Sequence, residues 1–104
     1  MTKDRFEEVA KEQLNRIEEV LIKKQKEYGP KEDKLTVFKK AAQFMGTNPE
    51  QALYGFMAKH LVSQSDMIKS GEKYAKEVWL EKITDIINYN ILLLALLEDD
   101  NMYS

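Results

Sequence analysis

Three carboxylates, Glu77, Glu81 and Asp85, recur at steps of four residues, and Asn88 follows three further on. At about 100° per residue in a helix, all four fall within an arc of about 80° and form one strip about three turns long. Like charges at this spacing destabilise a helix by roughly 0.2–0.5 kcal/mol per pair unless something positive answers them. Lys73, Lys76 and Lys82 on the same segment would answer on a solvated face, which is the ordinary fate of an acidic stripe. A divalent cation is the other answer: Mg²⁺ prefers oxygen donors and bridges one or two carboxylates to substrate phosphates while keeping several waters. The position of the stripe favours the cation, because it leads straight into the most apolar run of the chain, Ile91 to Leu97. Acids carried toward a buried segment demand a partner.

Other side chains are candidates for binding. Lys59 would set a point charge against a phosphate, a task suited to a flexible ammonium group; its plain alternative is a solvated lysine. His60, the single histidine, falls on an apolar helix face, where a neutral imidazole hydrogen-bonded in the core is the expected role. Trp79, Tyr89, Tyr54 and Phe56 have rings able to stack on a base, although helical aromatics ordinarily belong to the core. Tyr28 stands at a helix end beside a loop, where a ring meets a ligand more easily, and the basic run Lys23 to Lys26 reads as a solvated face able to attract phosphate. There is no glycine-rich phosphate loop and no recognisable Ser, His and acid spacing.

The elements that must position these residues are helices. Phe6, Val9, Ala10, Leu14, Ile17, Val20, Leu21 and Tyr28 recur at helical steps and predict helix one over 4–28. Gly29-Pro30 ends it, leaving a loop over 29–34. Phe38, Ala41, Ala42 and Met45 predict helix two over 35–45, closed by Gly46. Asn48 as cap, Pro49 in first position and Glu50 at the positive end of the dipole announce helix three. It is expected to run to about Ser70 before Gly71 breaks it, with Leu53, Phe56, Met57, His60, Leu61, Gln64 and Ile68 on one face. Helix four is expected from near Glu72 to Leu97, with a frayed tail over 98–104. Its second half is apolar almost all round and needs partners on more than one side, which predicts an oligomer.

Composition agrees with one all-α domain over 1–104. The chain has 104 residues, 43% hydrophobic and 33% charged, too apolar for disorder and too rich in long charged side chains for a β-sandwich. Sixteen basic and 18 acidic residues give a net charge of −2, which removes the electrostatic drive for gripping a nucleic-acid duplex. The absence of cysteine excludes disulfides, thiolate zinc sites and a cysteine nucleophile. The first eight residues are polar and acidic, unlike a signal peptide, and the longest apolar run is seven residues against about 20 for a membrane span. A cytoplasmic protein without a membrane partner is the expectation.

The string Glu77-Val78-Trp79-Leu80-Glu81-Lys82-Ile83-Thr84-Asp85-Ile86-Ile87-Asn88-Tyr89 resembles the acidic helix of the nucleotide modification associated domain family, common in phages. Lys24, Tyr28, Gly29, Asp33 and Phe38 match the order in which that family closes its first helix and opens its second, and Lys59 sits where the family has a helix-three lysine. That family is similar in turn to the MazG-like all-α NTP pyrophosphohydrolases. The resemblance implies a four-helix MazG-like bundle assembling as a dimer or tetramer, in the host cytoplasm if phage-encoded. It also implies Mg²⁺ held by Glu77, Glu81, Asp85 and Asp33, catalytic roles for Glu81 and Lys59, and substrate contacts from Lys24, Tyr28, Lys59 and Asn88. The chain departs from the MazG pattern in lacking Glu-x-x-Glu on helix two or three. Two readings therefore stand: Asp33 or Glu32 completes the site for Mg²⁺-dependent pyrophosphohydrolysis, or the protein binds a nucleotide or nucleotide-derived signal without cleaving it. A purely structural helical oligomer is the third.

Overall fold

A computed structural model describes residues 1–23 and 33–104, and these form two compact units, Met1–Glu32 and Asp33–Ser104. Among the described residues there are four α-helices and one π-helical turn, with no strand, so the chain is all-α as expected. No helix among them is long and apolar enough to cross a membrane.

In the first unit, α1 spans Lys3–Glu18. The Thr2 hydroxyl accepts from the Arg5 N–H at 3.1 Å, and Asp4 lies in the first turn, so both the free amides and the dipole are answered. Helix one was expected to continue to Tyr28 without interruption. Instead the chain passes into a π-helical turn, Glu19–Lys23, which buries Leu21. A π turn holds more residues per turn than an α turn, so side chains beyond Glu18 leave the α-helical register on which the predicted stripe depended. Lys24, Tyr28, Gly29 and Glu32 lie outside the described residues.

The second unit carries the candidate site. α2 spans Thr36–Met45 and is opened by Asp33, whose Oδ1 accepts from the Leu35 N–H at 2.9 Å. This local side-chain turn is one that aspartate makes readily. Gly46 closes α2 at φ +66°, and the Thr47 N–H reaches back to the Ala42 carbonyl at 2.9 Å. α3 spans Pro49–Ser70, with Asn48 Oδ1 accepting from the Gln51 N–H at 2.8 Å and Gly71 closing it at φ +68°. α4 spans Lys76–Asp99.

Both ends of α4 differ from expectation. It starts four residues after Glu72, because the left-handed turn at Gly71 leads into a short non-helical stretch that brings the chain back. Ser70 Oγ fastens that stretch, accepting from the Glu72 N–H at 3.1 Å and lying 3.2 Å from the Tyr74 hydroxyl. Tyr74 packs edge-on against Trp79, centroids 5.9 Å apart. At the other end the helix continues through Glu98 and Asp99, where Asp99 Oδ2 accepts from Lys39 Nζ at 2.8 Å. The last residues are held as well, the Met102 N–H by the Leu97 carbonyl at 2.9 Å and the Tyr103 hydroxyl by the Leu94 carbonyl at 3.3 Å.

The core lies where α2, α3 and α4 meet. Phe38, Leu53 and Leu96 are buried together, with Leu35, Phe56, Tyr89, Leu92 and Leu93 packed around them. The Phe38 ring meets Phe56 and Tyr89 edge-on at 5.8 and 6.4 Å, the arrangement that aromatic quadrupoles favour.

Candidate functional site between α3 and α4

The acidic stripe is the outer end of the face by which α4 packs. Glu77, Glu81, Asp85, Asn88, Leu92 and Leu96 share an arc of about 100° on the helix, and burial rises along it. Glu77 and Glu81 are exposed, Asp85 is half-buried, Asn88 is buried, and Leu96 is fully covered. Of the three carboxylates, then, Glu77 and Glu81 are exposed to solvent and only Asp85 reaches the seam between α3 and α4.

Across the seam stands His60. On α3 it shares the packing face with Leu53, Met57 and Met67, all buried. Its Nδ1 lies 3.6 Å from Asp85 Oδ2, side chains 25% and 36% exposed, and this nitrogen is covered and has no hydrogen-bond partner among the described residues. His60 thus lies on the apolar face of its helix, as expected, and there it faces Asp85, the innermost acid of the stripe. Its ring lies 5.2 Å from that of Tyr89, tilted at 46°. Burial, and secondarily the Asp85 charge, push the Tyr89 phenol above its ordinary range. One turn beyond Asp85, Asn88 Oδ1 is also buried with no partner among the described residues. Buried side-chain oxygens and nitrogens are rarely left this way, and each such group calls for a physical reason.

The other predicted residues are placed as follows. Lys59 is exposed on α3, about 100° around the helix from His60 because it is one residue earlier. Asp33 is exposed and engaged at the start of α2, with Oδ2 3.5 Å from Lys39 Nζ; its bond from the Leu35 N–H holds its carboxyl below the ordinary range. Lys39 also binds Asp99. At 1.5 Å per residue, Asp99 is about 21 Å along α4 from Asp85. Within one protomer, then, Asp33 sits toward the opposite end of α4 from the stripe. Lys24 and Tyr28 lie outside the described residues. Tyr89 and Phe56 belong to the core margin, Trp79 pairs with Tyr74, and Tyr54 is 59% exposed.

Among the described residues, no group of three or more His, Asp or Glu side chains is gathered closely enough to enclose a metal ion. One or two carboxylates suffice for Mg²⁺ only where waters and substrate phosphates fill the other positions. A separate open depression of about 450 Å³ lies near the start of α3, lined by Asn48, Glu50, Gln51, Tyr54 and Leu93. Comparison of the chain with known protein families, with characterised proteins and with solved structures gives no match.

His60 lies on the helix face where the sequence placed it, but its neighbour across the seam was not foreseen. Its register with Leu53, Met57 and Met67 was a signal of burial, but the sequence held no signal that Asp85, 25 residues later, would oppose it.

Proposed function

We propose that the protein is a Mg²⁺-dependent nucleotide-processing protein of the NTP pyrophosphohydrolase type. The observation that carries this reading is Asp85, half-buried at the inner end of a stripe whose outer members Glu77 and Glu81 are exposed, beside the buried atoms His60 Nδ1 and Asn88 Oδ1, which have no hydrogen-bond partner among the described residues. A carboxylate half-buried in a packing seam, as Asp85 is, is costly unless a cation or donor meets it.

In this reading Glu77, Glu81 and Asp85 supply oxygen donors, and Asn88 offers its amide oxygen to cation or substrate. Lys59 contacts the phosphate chain. Bound Mg²⁺ would neutralise phosphate charge and lower the pKa of a coordinated water. Glu81, exposed at the mouth of the seam, takes the proton of the attacking water. Water adds to the α-phosphorus, the bond from that phosphorus to the bridging oxygen breaks, and monophosphate and pyrophosphate leave.

Assembly belongs to the same proposal. On α4, Leu94 is 58% and Ile91 38% exposed within the protomer, and Tyr54 and Val62 are exposed on α3. Such surfaces are consistent with burial against further copies, so that the four-helix MazG-like bundle assembles as a dimer or tetramer. Antiparallel packing of α4 against its counterpart would carry Asp33 of one copy toward the stripe of the other.

A second reading, nucleotide sequestration without cleavage, is favoured by the absence of an enclosed three-ligand cage among the described residues. Thermal melting against a nucleotide panel with and without Mg²⁺, with assay of pyrophosphate release, separates the two. Ligand at 100 times its dissociation constant should stabilise by about 2.7 kcal/mol. Mg²⁺-dependent stabilisation with pyrophosphate release is expected; stabilisation without release favours sequestration, and no response leaves only a structural oligomer.

A further inference from the structure

α4 packs on α3 through the side that carries Leu92 and Leu96, and Ile87 lies about 180° around the helix from Leu96. On that outer side Leu80, Ile83, Ile87, Ile91 and Leu94 follow one another at steps of 3, 4, 4 and 3 residues, with Lys76 four before the first and Glu98 four after the last. Together they fall within an arc of about 80°, and within α4 Lys76 and Glu98 are the only charged residues on that arc. Ile91 and Leu94 are 38% and 58% exposed, Leu80, Ile83 and Ile87 are half-buried, and Lys76 and Glu98 are exposed. The Tyr103 hydroxyl folds back to the Leu94 carbonyl but leaves the Leu94 side chain open. Asn90, just outside the arc, donates its side-chain amide to the Ile86 carbonyl at 3.1 Å and so is engaged within its own helix.

The stripe reads the same from either end. Ile83 and Ile91 are equidistant from Ile87, as are Leu80 and Leu94, while Lys76 and Glu98 stand at opposite ends with opposite charge. Such a surface is complementary to itself only when a second copy runs the other way, which is the condition for an isologous two-fold interface. An antiparallel copy sets Ile87 on its counterpart, Ile83 on Ile91, Leu80 on Leu94, and a lysine against a glutamate at both ends. A parallel copy sets lysine on lysine and glutamate on glutamate, which opposes association. We propose that α4 pairs with α4 of a second copy, antiparallel about a two-fold axis at Ile87, with Lys76 of each copy bridged to Glu98 of the other. The proposal rests on the assembly reading above, to which it adds the face, the direction and the register, and it needs neither Mg²⁺ nor nucleotide.

The test exploits the absence of cysteine from the chain. Single cysteines are introduced as Leu80→Cys, Ile87→Cys and Leu94→Cys, folding is checked by circular dichroism under reduction, and disulfides are read after mild oxidation, since they form only where Cα atoms come within about 7 Å. Light scattering gives the assembly state of the wild type. Ile87→Cys should cross-link to itself, Leu94→Cys should not, and Leu94→Cys mixed with Leu80→Cys should give the mixed disulfide. Self-linking of Leu94→Cys as readily as Ile87→Cys would show a parallel pair and overturn the proposal while leaving assembly in place, as would an assembled wild type in which none of the three cross-links. A monomeric wild type overturns the assembly reading and this proposal together. The exposed ends provide a second measure that does not disturb the apolar stripe. Lys76→Glu should weaken the dimer by about tenfold, because each substitution spoils two symmetric pairs. Adding Glu98→Lys to it should restore the affinity, and a double variant as weak as the single one would overturn the Lys76–Glu98 register.

Discussion

Glu50 and Asp100 are two neighbouring carboxyl groups, one in the first turn of α3 and the other capping the end of α4. Glu50 Oε1 is buried, and no donor reaches it among the described residues. A proton held on either acid would serve both, and this, followed by burial, raises the Glu50 carboxyl above its ordinary range. Beside them Lys39 ties Asp99 to the start of α2 at 2.8 Å, so charge is concentrated where α2, α3 and α4 converge.

The pH dependence follows from the sign of that shift. A carboxyl raised on folding stabilises the protein below its unfolded pKa, and the contribution is lost as pH rises through the folded value. Glu50→Gln removes the titration and supplies an amide donor to Asp100. The variant should melt at higher temperature than wild type at pH 7, with the difference shrinking as pH falls below the ordinary carboxylate range. Asp33, whose pKa is lowered, contributes in the opposite sense: its stabilisation is present above its unfolded pKa and lost on acidification. The difference between wild type and Glu50→Gln isolates Glu50 from that effect. A difference independent of pH between 3 and 7 would contradict the shared-proton account.

Asn88 should trade stability for function. Its Oδ1 is buried without a partner, and an unsatisfied buried polar group costs about 1–3 kcal/mol. Asn88→Leu, close in volume, should raise stability in urea denaturation by about 1 kcal/mol. It should also abolish Mg²⁺-dependent stabilisation by nucleotide. A clear loss of stability would mean that Oδ1 is satisfied in solution, for example by an ordered water.

Glycine substitutions should split by backbone conformation. Gly55 lies inside α3, and an added Cβ meets nothing within 4 Å among the described residues. Gly55→Ala should therefore stabilise by about 0.5–1 kcal/mol. Gly71 has as much room but sits at φ +68°, so Gly71→Ala should destabilise, by about 1 kcal/mol or more. Chemical denaturation of the two variants checks both signs.

Leu94→Glu tests assembly. Leu94 is 58% exposed within the protomer, so a charge there leaves the fold intact but opposes burial against a second copy. Light scattering should show a fall to monomer with helical circular dichroism unchanged. A variant that remains assembled would remove the apolar face of α4 from the interface.

The helices were legible because their signals are local. Asn48 caps α3 within three residues, Pro49 suits its first position, and Gly46 and Gly71 adopt the left-handed turns that end α2 and α3. The start of α4 was not, since Glu72 to Ala75 have no helix breaker; their course is set by the turn at Gly71 and by the contacts of Ser70 and Tyr74. The π turn after Glu18 was likewise missed, because the residues 19–23 carry an ordinary helical pattern.

The candidate site divides along the same line. Spacing alone determined that Glu77, Glu81, Asp85 and Asn88 share one strip, because the helical repeat fixes angles between near neighbours. Only tertiary packing decided that the inner end of this strip, Asp85 and Asn88, is covered while Glu77 and Glu81 stay exposed, that His60 meets Asp85, and that Asp33 stands toward the far end of α4 beside Lys39 and Asp99. Helix periodicity gives the direction of each side chain about its own axis. The register of one helix against another is set by the summed packing of Phe38, Leu53, Leu96 and the residues around them, a sum of many weak contacts between distant parts of the chain that no local spacing contains.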